Sequence, residues 1–287
     1  MRSDRCRPPR VRGANDNAGR MTVVELVGTP GAGKTTLAVE IVELLRGEGV
    51  EAATIIDAAR RHTERTRVAR TLVSGTPRRW RRPVLWLLFY VLGLCNAVAF
   101  VREQPRLSVH VLESLRHSHM RLARRIHVAF WFFQLGGRRR LLLTTARDRE
   151  VLVVDDGFLH RSVHIFASEG EDPSVTEIAA YVDLLRAPQL VVRAVAERET
   201  CEERVRRRGV WRHSRNMTAG ELSRYLANSD RAVGLAVRCA RERGWIVAEV
   251  DNDDRSPADA RPDLLWALRA GSVLPSAPRL VQTGAVS

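Results

Sequence analysis

Lysine is nearly missing from this 287-residue chain: 47 side chains are Lys or Arg, and Lys34 is the one lysine among them. A bias toward arginine accounts for most of that imbalance, so the arginine count alone is no argument for a polyanion site. The same bias makes Lys34 informative, because arginine fills the other Lys/Arg positions. Cysteine is also sparse. Cys6, Cys95, Cys201 and Cys239 stand far apart, with no C-x-x-C pair and no histidines clustered beside them. That excludes a thiolate zinc site or a disulfide framework and reads as free thiols in a reducing compartment. Residues 1–20 are basic and lack an apolar h-region, so they do not read as a secretory signal, and a cytoplasmic location is expected. They are expected to be a disordered basic arm or an upstream extension, the first strand starting at Met21. No internal repeat is present.

What is present suits a folded domain, with 45% hydrophobic and 28% charged residues. The net charge of +14 favours anionic partners, whether nucleotide, nucleic acid or acidic lipid, without choosing among them. The length exceeds one average domain, but α/β nucleotide-binding folds with insertions reach it. A single core over 21–270 is expected, interrupted by a helical insertion at 58–150 and followed by a weakly ordered tail at 271–287. Apolar runs predict strands at 22–27, 51–56, 151–154, 189–195 and 245–250. Helices are expected at 34–46, 173–186, 198–208, 218–242 and 258–269. This alternation predicts a parallel sheet covered on both faces, with ligands at the carboxyl ends of the strands.

The insertion holds an apolar stretch, Pro83 to Val101, bracketed by Arg78-Arg79-Trp80-Arg81-Arg82 and Arg102. It is nearly long enough to span a bilayer, which takes about 20 apolar residues. A single crossing would put Lys34 and Asp155 on opposite sides, and the run at Val128–Phe133 is too short to bring the chain back. A buried or hairpin-packed helix therefore ranks first, an interfacial contact of 78–102 with an anionic membrane surface second, and a true span third. A further helix is expected over about 109–133.

Chemistry concentrates at Gly28-Thr29-Pro30-Gly31-Ala32-Gly33-Lys34-Thr35, which closes the first strand and opens the first helix. Glycines let the backbone wrap closely around phosphate, and the helix N-terminus adds partial positive charge. Lys34 is expected to reach the β- and γ-phosphates of ATP, and the Thr35 hydroxyl to ligate Mg²⁺, with Thr36 following in the first turn. A later strand ends at Asp155 and Asp156, either of which would hold the metal. Asp57, expected at the end of the second strand, is open to two readings, a base for an acceptor hydroxyl or a helix N-cap. Arg204, Arg208 and Arg212 belong to a crowded basic segment, 200–215, that reads either as a lid for phosphate or as a solvated helix.

Taken in order, the Gly-rich loop, Asp57, Asp155-Asp156-Gly157-Phe158-Leu159-His160-Arg161 and the 204–212 segment resemble the nucleoside and nucleotide kinase group, especially thymidylate-kinase-like and deoxynucleoside-kinase-like proteins. The resemblance covers about 20–57 and 150–270. It implies a P-loop kinase-like fold with a five-stranded parallel sheet, Gly28 to Thr35 around the phosphates, Asp155 or Asp156 on metal or acceptor, and Arg204, Arg208 and Arg212 in a lid that closes over ATP. Gly157 follows the acids where the family usually carries arginine, and the next arginine is Arg161. The acceptor is accordingly open: nucleoside, nucleotide, sugar, or lipid-linked alcohol. A P-loop ATPase or regulatory ATP-binding protein is the competing class, and nucleic acid is not expected as a partner.

Overall fold

A computed structural model of the chain describes residues 21–55, 57–58, 61, 71–72, 74–143, 150–167, 172–208 and 217–275. Its elements run β1 (Thr22–Val27), α1 (Lys34–Gly47), β2 (Ala52–Thr54), α2 (Arg78–Glu103), α3 (Pro105–His117), α4 (Leu122–Leu143), β3 (Val151–Val154) and α5 (Phe158–Phe166). They continue through α6 (Val175–Leu184), β4 (Leu190–Val195), α7 (Arg198–Arg207), α8 (Ala219–Glu242), β5 (Val247–Asp251) and α9 (Arg261–Ala270). The five strands form one parallel sheet in the order β2-β3-β1-β4-β5, with Val24 opposite Val153 on one side and Leu190 on the other. Near-continuous apolar strands such as Val151–Val154, buried at every position, are what a sheet covered on both faces requires.

On one face α1 and α9 pack Leu37, Ile41, Leu45, Leu264 and Leu268 onto Leu26 and Val192. On the other, α5, α6 and α8 bring Leu159, Val163, Tyr181, Leu226 and Val233 together, joined by Phe132 of α4 and Val111 of α3. Each fully buried leucine of this kind contributes roughly 1.5–3 kcal/mol. α8 starts at a capping box: the Thr218 hydroxyl accepts from the Glu221 N–H while the Glu221 carboxylate accepts from the Thr218 N–H at 2.7 Å. These features make an α/β P-loop kinase-type fold, with β1 central and the loop after it at the edge where the strand order reverses.

Several expectations are corrected. The helix expected over 109–133 is two, because the chain turns extended at Ser118. Arg125 then reaches back to the carbonyls of Arg116, Ser118 and Met120 at 2.9, 2.5 and 2.7 Å, satisfying acceptors that the break frees. The tail is not loose from its first residue, since Leu274 is buried against the α1–α9 layer. The segment 1–20 lies outside the described residues.

The apolar stretch 83–101 is inside α2, which packs along α4 without being buried as a whole. Gly137 lies so close to α2 that a Cβ there would meet the Gly93 carbonyl and, at 2.6 Å, the Ala97 nitrogen. Polar groups of α4 close the contact: the Gln134 amide donates to the Tyr90 carbonyl at 3.1 Å, Arg140 donates to Asn96 Oδ1 at 2.7 Å, and the Arg138 guanidinium lies 4.3 Å from the Tyr90 ring centre. The opposite face of α2 is left open, with Leu87 64% and Val98 59% exposed.

Candidate active site

The loop from Gly28 to Gly33 is shaped by two left-handed glycines, Gly31 at φ +93° and Gly33 at φ +85°, a backbone region costly for other residues. Both also have a neighbour where a Cβ would go: the Cys201 carbonyl beside Gly31 and the Asn252 amide beside Gly33. Asn252, just past β5, donates from its side chain to the Ala32 carbonyl at 2.9 Å and anchors its own N–H on Val195 at 2.8 Å. Thr29 Oγ1 donates to Asp230 of α8 at 3.2 Å. Thus β4, β5, α7 and α8 all brace the loop, and Pro30 and Ala32 ride on that frame.

Lys34 folds its ammonium back onto the carbonyls of Gly28 at 2.8 Å and Thr29 at 3.1 Å. Burial lowers its pKa to about 8, partly offset by the carboxylates of Asp156 and Asp155. Thr35 Oγ1 donates to Asp155 Oδ2 at 2.8 Å, so a hydroxyl on α1 and a carboxylate at the end of β3 converge; Thr36 beside it is exposed. Two hard oxygen donors in this position suit Mg²⁺. The neighbouring acid points elsewhere: Asp156 Oδ2 accepts from Arg161 Nη2 at 2.7 Å, and its Oδ1 lies 4.0 Å from His160 Nε2.

Arg204 and Arg208, one turn apart at the end of α7, both line the same cavity as Lys34. Arg204 donates to the Asn252 carbonyl at 3.0 Å and has a buried Nη1 without a hydrogen-bond partner among the described residues. Arg212, with the rest of 209–216, falls outside the described residues. Asp57 is not among the cavity's lining residues. Because β2 ends at Thr54, two residues before the expected end, Thr54 takes over the cap: its hydroxyl accepts from the Asp57 N–H at 3.2 Å and donates to the Asp57 carboxylate at 3.1 Å.

Glu25 is buried beneath the site, outside the cavity lining. It is a carboxylate in the middle of the central strand, only 2% exposed, and it accepts from the Leu159 N–H at the start of α5. Burial raises its pKa, against the pull of Arg139 and of the backbone N–H groups of Leu159 and His160. A Cβ at Gly157 would collide with this carboxyl group, which explains why glycine follows the paired acids. Above Glu25, His160 is held well below its ordinary pKa by burial and by the charges of Lys34, His164 and Arg161. The signal for Glu25 was a lone acid in an otherwise apolar strand, whereas His160 and His164 carry only an i, i+4 spacing.

The cavity itself, about 170 Å³, runs from Pro30, Gly31 and Gly33 past Thr35 and Asp155 to Tyr225 and Leu226 of α8. It is small beside the ~300–1,000 Å³ of typical ligand sites. Positive charge and glycine backbone lie at the loop end, and imidazole, carboxylate and ring groups at the far end. Such an arrangement can place a phosphate chain beside an oxygen-bearing acceptor.

No protein-family model and no curated protein sequence matches the chain. Among solved structures, deoxyadenosine kinase from M. mycoides with bound dCTP is similar at a TM-score of 0.39 and 12% identity, covering 88% of this chain and 100% of that one. The same enzyme with bound dATP gives 0.42 and 14% over 86% and 99%. Shikimate kinase from Acinetobacter baumannii in complex with shikimate gives 0.40 and 15% over 88% and 96%. The fold assignment rests on the strand order and on the loop between β1 and α1.

Proposed function

We propose that the chain is an ATP-dependent phosphotransferase that moves the γ-phosphoryl group to a hydroxyl of a small acceptor, a nucleoside, nucleotide, sugar or lipid-linked alcohol. The observation that carries this reading is the convergence of Lys34, the Thr35–Asp155 pair and Arg208 on one cavity at the end of β1. Loop N–H groups and the α1 N-terminus bind the phosphates, and Lys34 exchanges its two carbonyl partners for phosphate oxygens. Mg²⁺, when bound at Thr35 and Asp155, supplies charge neutralisation of the phosphates. Arg208 stabilises the charge that develops on the transferred group, and the same role is assigned to Arg212 from its place in the basic segment of the sequence. The Asp156 and Tyr225 end receives the acceptor. Transfer is favoured over hydrolysis because the acid beside the metal position is Asp156, followed by Gly157, and no glutamate stands there to activate water.

The test is ATP consumption measured against a panel of nucleosides, nucleotides, sugars and lipid alcohols. One acceptor class should raise turnover well above the acceptor-free rate, and Lys34→Ala should lower it by ~100-fold or more with an unchanged circular dichroism spectrum. A folded Lys34→Ala protein turning over at the wild-type rate would end this reading.

A second reading concerns the outer face of α2, where Leu87, Val91, Leu94, Val98 and Val101 are exposed and Arg78, Arg79 and Arg81 stand at the N-terminal end. We propose that this face rests on an anionic membrane surface, the arginines meeting headgroups and the stripe entering the interface.

A further inference from the structure

We propose that Asp156, His160 and His164 form a binding site for one divalent transition-metal ion of the Zn²⁺, Co²⁺ or Mn²⁺ kind, separate from the magnesium position at Thr35 and Asp155. His160 and His164 are one helical turn apart, so α5 presents both rings on one face, and Asp156 lies two residues before the helix. One ligand atom from each of the three lies within 4.8 Å of the others. The rings stand nearly perpendicular, with centres 5.5 Å apart, so they are not stacked on each other.

The spacing fits an ion better than a hydrogen bond. Asp156 Oδ1 and His160 Nε2 are 4.0 Å apart, beyond hydrogen-bond reach. Ligand atoms with metal bonds of ~2.0–2.2 Å stand about 3.4 Å apart around a tetrahedral ion, so the trio has to draw in by roughly an ångström when the ion binds. One ligand atom is also in deficit: Asp156 Oδ1 is buried and has no hydrogen-bond partner among the described residues. An unmet buried polar atom costs roughly 1–3 kcal/mol, a cost that coordination removes. Arg161 completes the arrangement by holding Asp156 Oδ2 at 2.7 Å, which turns Oδ1 toward the imidazoles.

The donor set decides the class of metal. Two imidazoles and one carboxylate suit borderline ions, whereas Mg²⁺ and Ca²⁺ prefer oxygen. Lys34 and Arg161 nearby oppose any dication, so imidazole coordination has to supply the affinity. Three protein ligands leave coordination positions open, and all three residues line the cavity with Lys34. That an acceptor oxygen takes one of these positions rests on the phosphotransfer reading; the metal site itself does not.

Cobalt is the probe, since its visible spectrum reports coordination. The untagged full chain, stripped with chelator and free of nucleotide, is titrated with CoCl₂, then with ZnCl₂ as competitor. The expected result is one equivalent of Co²⁺ with d–d bands, displaced by Zn²⁺, and a loss of affinity of at least tenfold in His164→Gln and in His160→Gln. Lys34→Ala should keep the cobalt spectrum while losing ATP turnover, which separates failure of this site from failure of the kinase reading. Absence of saturable binding in the wild type, or an unchanged spectrum in a folded His164→Gln protein, overturns the proposal. Should His160→Gln not fold, the wild-type titration and His164→Gln decide.

Discussion

At the scale of single residues, Glu25 occupies the least hospitable place for a carboxylate, the middle of the central strand. It is tolerated because the N-terminus of α5 and Arg139 both face it. Removing it would leave the half-buried Arg139 without its nearby counter-charge and the first N–H groups of α5 without an acceptor. Glu25→Ala should therefore destabilise the protein by ~1–3 kcal/mol in urea unfolding, the cost of leaving buried N–H groups unmet, beyond what a surface acid would cost. A loss below ~0.5 kcal/mol, the usual range for surface substitutions, would show that Glu25 and Arg139 do not act together. Arg208 and Arg204 should part company in kinetics. Arg208→Ala should lower kcat by ~10²–10³ with little change in KM for ATP, as for a group whose interaction strengthens in the transition state. Arg204 is tied to the Asn252 carbonyl, so Arg204→Ala should loosen the loop and raise KM as well. Equal, unchanged kinetics in both variants would leave the end of α7 as a solvated basic helix.

At the scale of elements, two contacts can be tested for stability. Gly137 sits where α2 and α4 touch backbone to backbone, and Gly137→Val should cost ~1–3 kcal/mol as the helices are forced apart. A second contact joins α6 to the end of α8, where Asp183 pairs with Arg243, whose guanidinium also donates to the carbonyls of Cys239 at 2.8 Å and Ala179 at 3.2 Å. The hydrogen bond from Arg243 holds the Asp183 pKa below its ordinary value. A carboxyl depressed in the folded state binds its proton more readily when unfolded, so its contribution is present above the unfolded pKa and is lost as pH falls through the folded one. Asp183→Asn should lower stability at pH 7 by at most ~1 kcal/mol, because Asp183 itself is exposed and its charge is screened by solvent. The deficit should vanish in strong acid, below the ordinary aspartate range. A deficit independent of pH would mean that packing, not charge, was lost. These elements also show what the sequence could and could not say. The phosphate loop was legible because strand, glycines, lysine and helix follow one another closely, and β1, β3 and β5 followed from apolar runs that end at Gly28, Asp155 and Asp251. The break at Ser118 was not legible, since both α3 and α4 continue a helical period across it and the stabilising Arg125 contacts are to backbone. Asn252 and Glu25 escaped for a different reason: their partners lie more than a hundred residues away, at Ala32 and Leu159, and no local pattern announces a contact of that span.

At the scale of the whole molecule, the net charge of +14 and the open face of α2 bear on the same question. Positions 87, 91, 94, 98 and 101 alternate steps of four and three, which keeps one apolar stripe along the helix while Gln134, Arg138 and Arg140 of α4 occupy its other side. Those polar groups argue against lipid around the whole helix, because Arg138 and Gln134 would then be drawn into hydrocarbon. A one-sided contact fits: the stripe enters the interface while Arg78, Arg79 and Arg81 remain among headgroups, each worth about 1 kcal/mol at an anionic surface. The same four–three spacing would also serve a helix from a second copy of the chain, so the oligomeric state has to be measured first. Sedimentation equilibrium should give the monomer mass, and the protein should co-sediment with phosphatidylserine-containing vesicles but not with pure phosphatidylcholine. Binding should weaken as ionic strength rises, because screening shortens the reach of the arginines. The triple variant Arg78→Gln, Arg79→Gln, Arg81→Gln should lower vesicle affinity by about 100-fold, the effect of three contacts of ~1 kcal/mol each, without changing Mg-ATP turnover on a soluble acceptor. A dimer that leaves anionic vesicles unbound would assign the stripe to a second copy instead, and the arginine variant would then bind its partner as the wild type does.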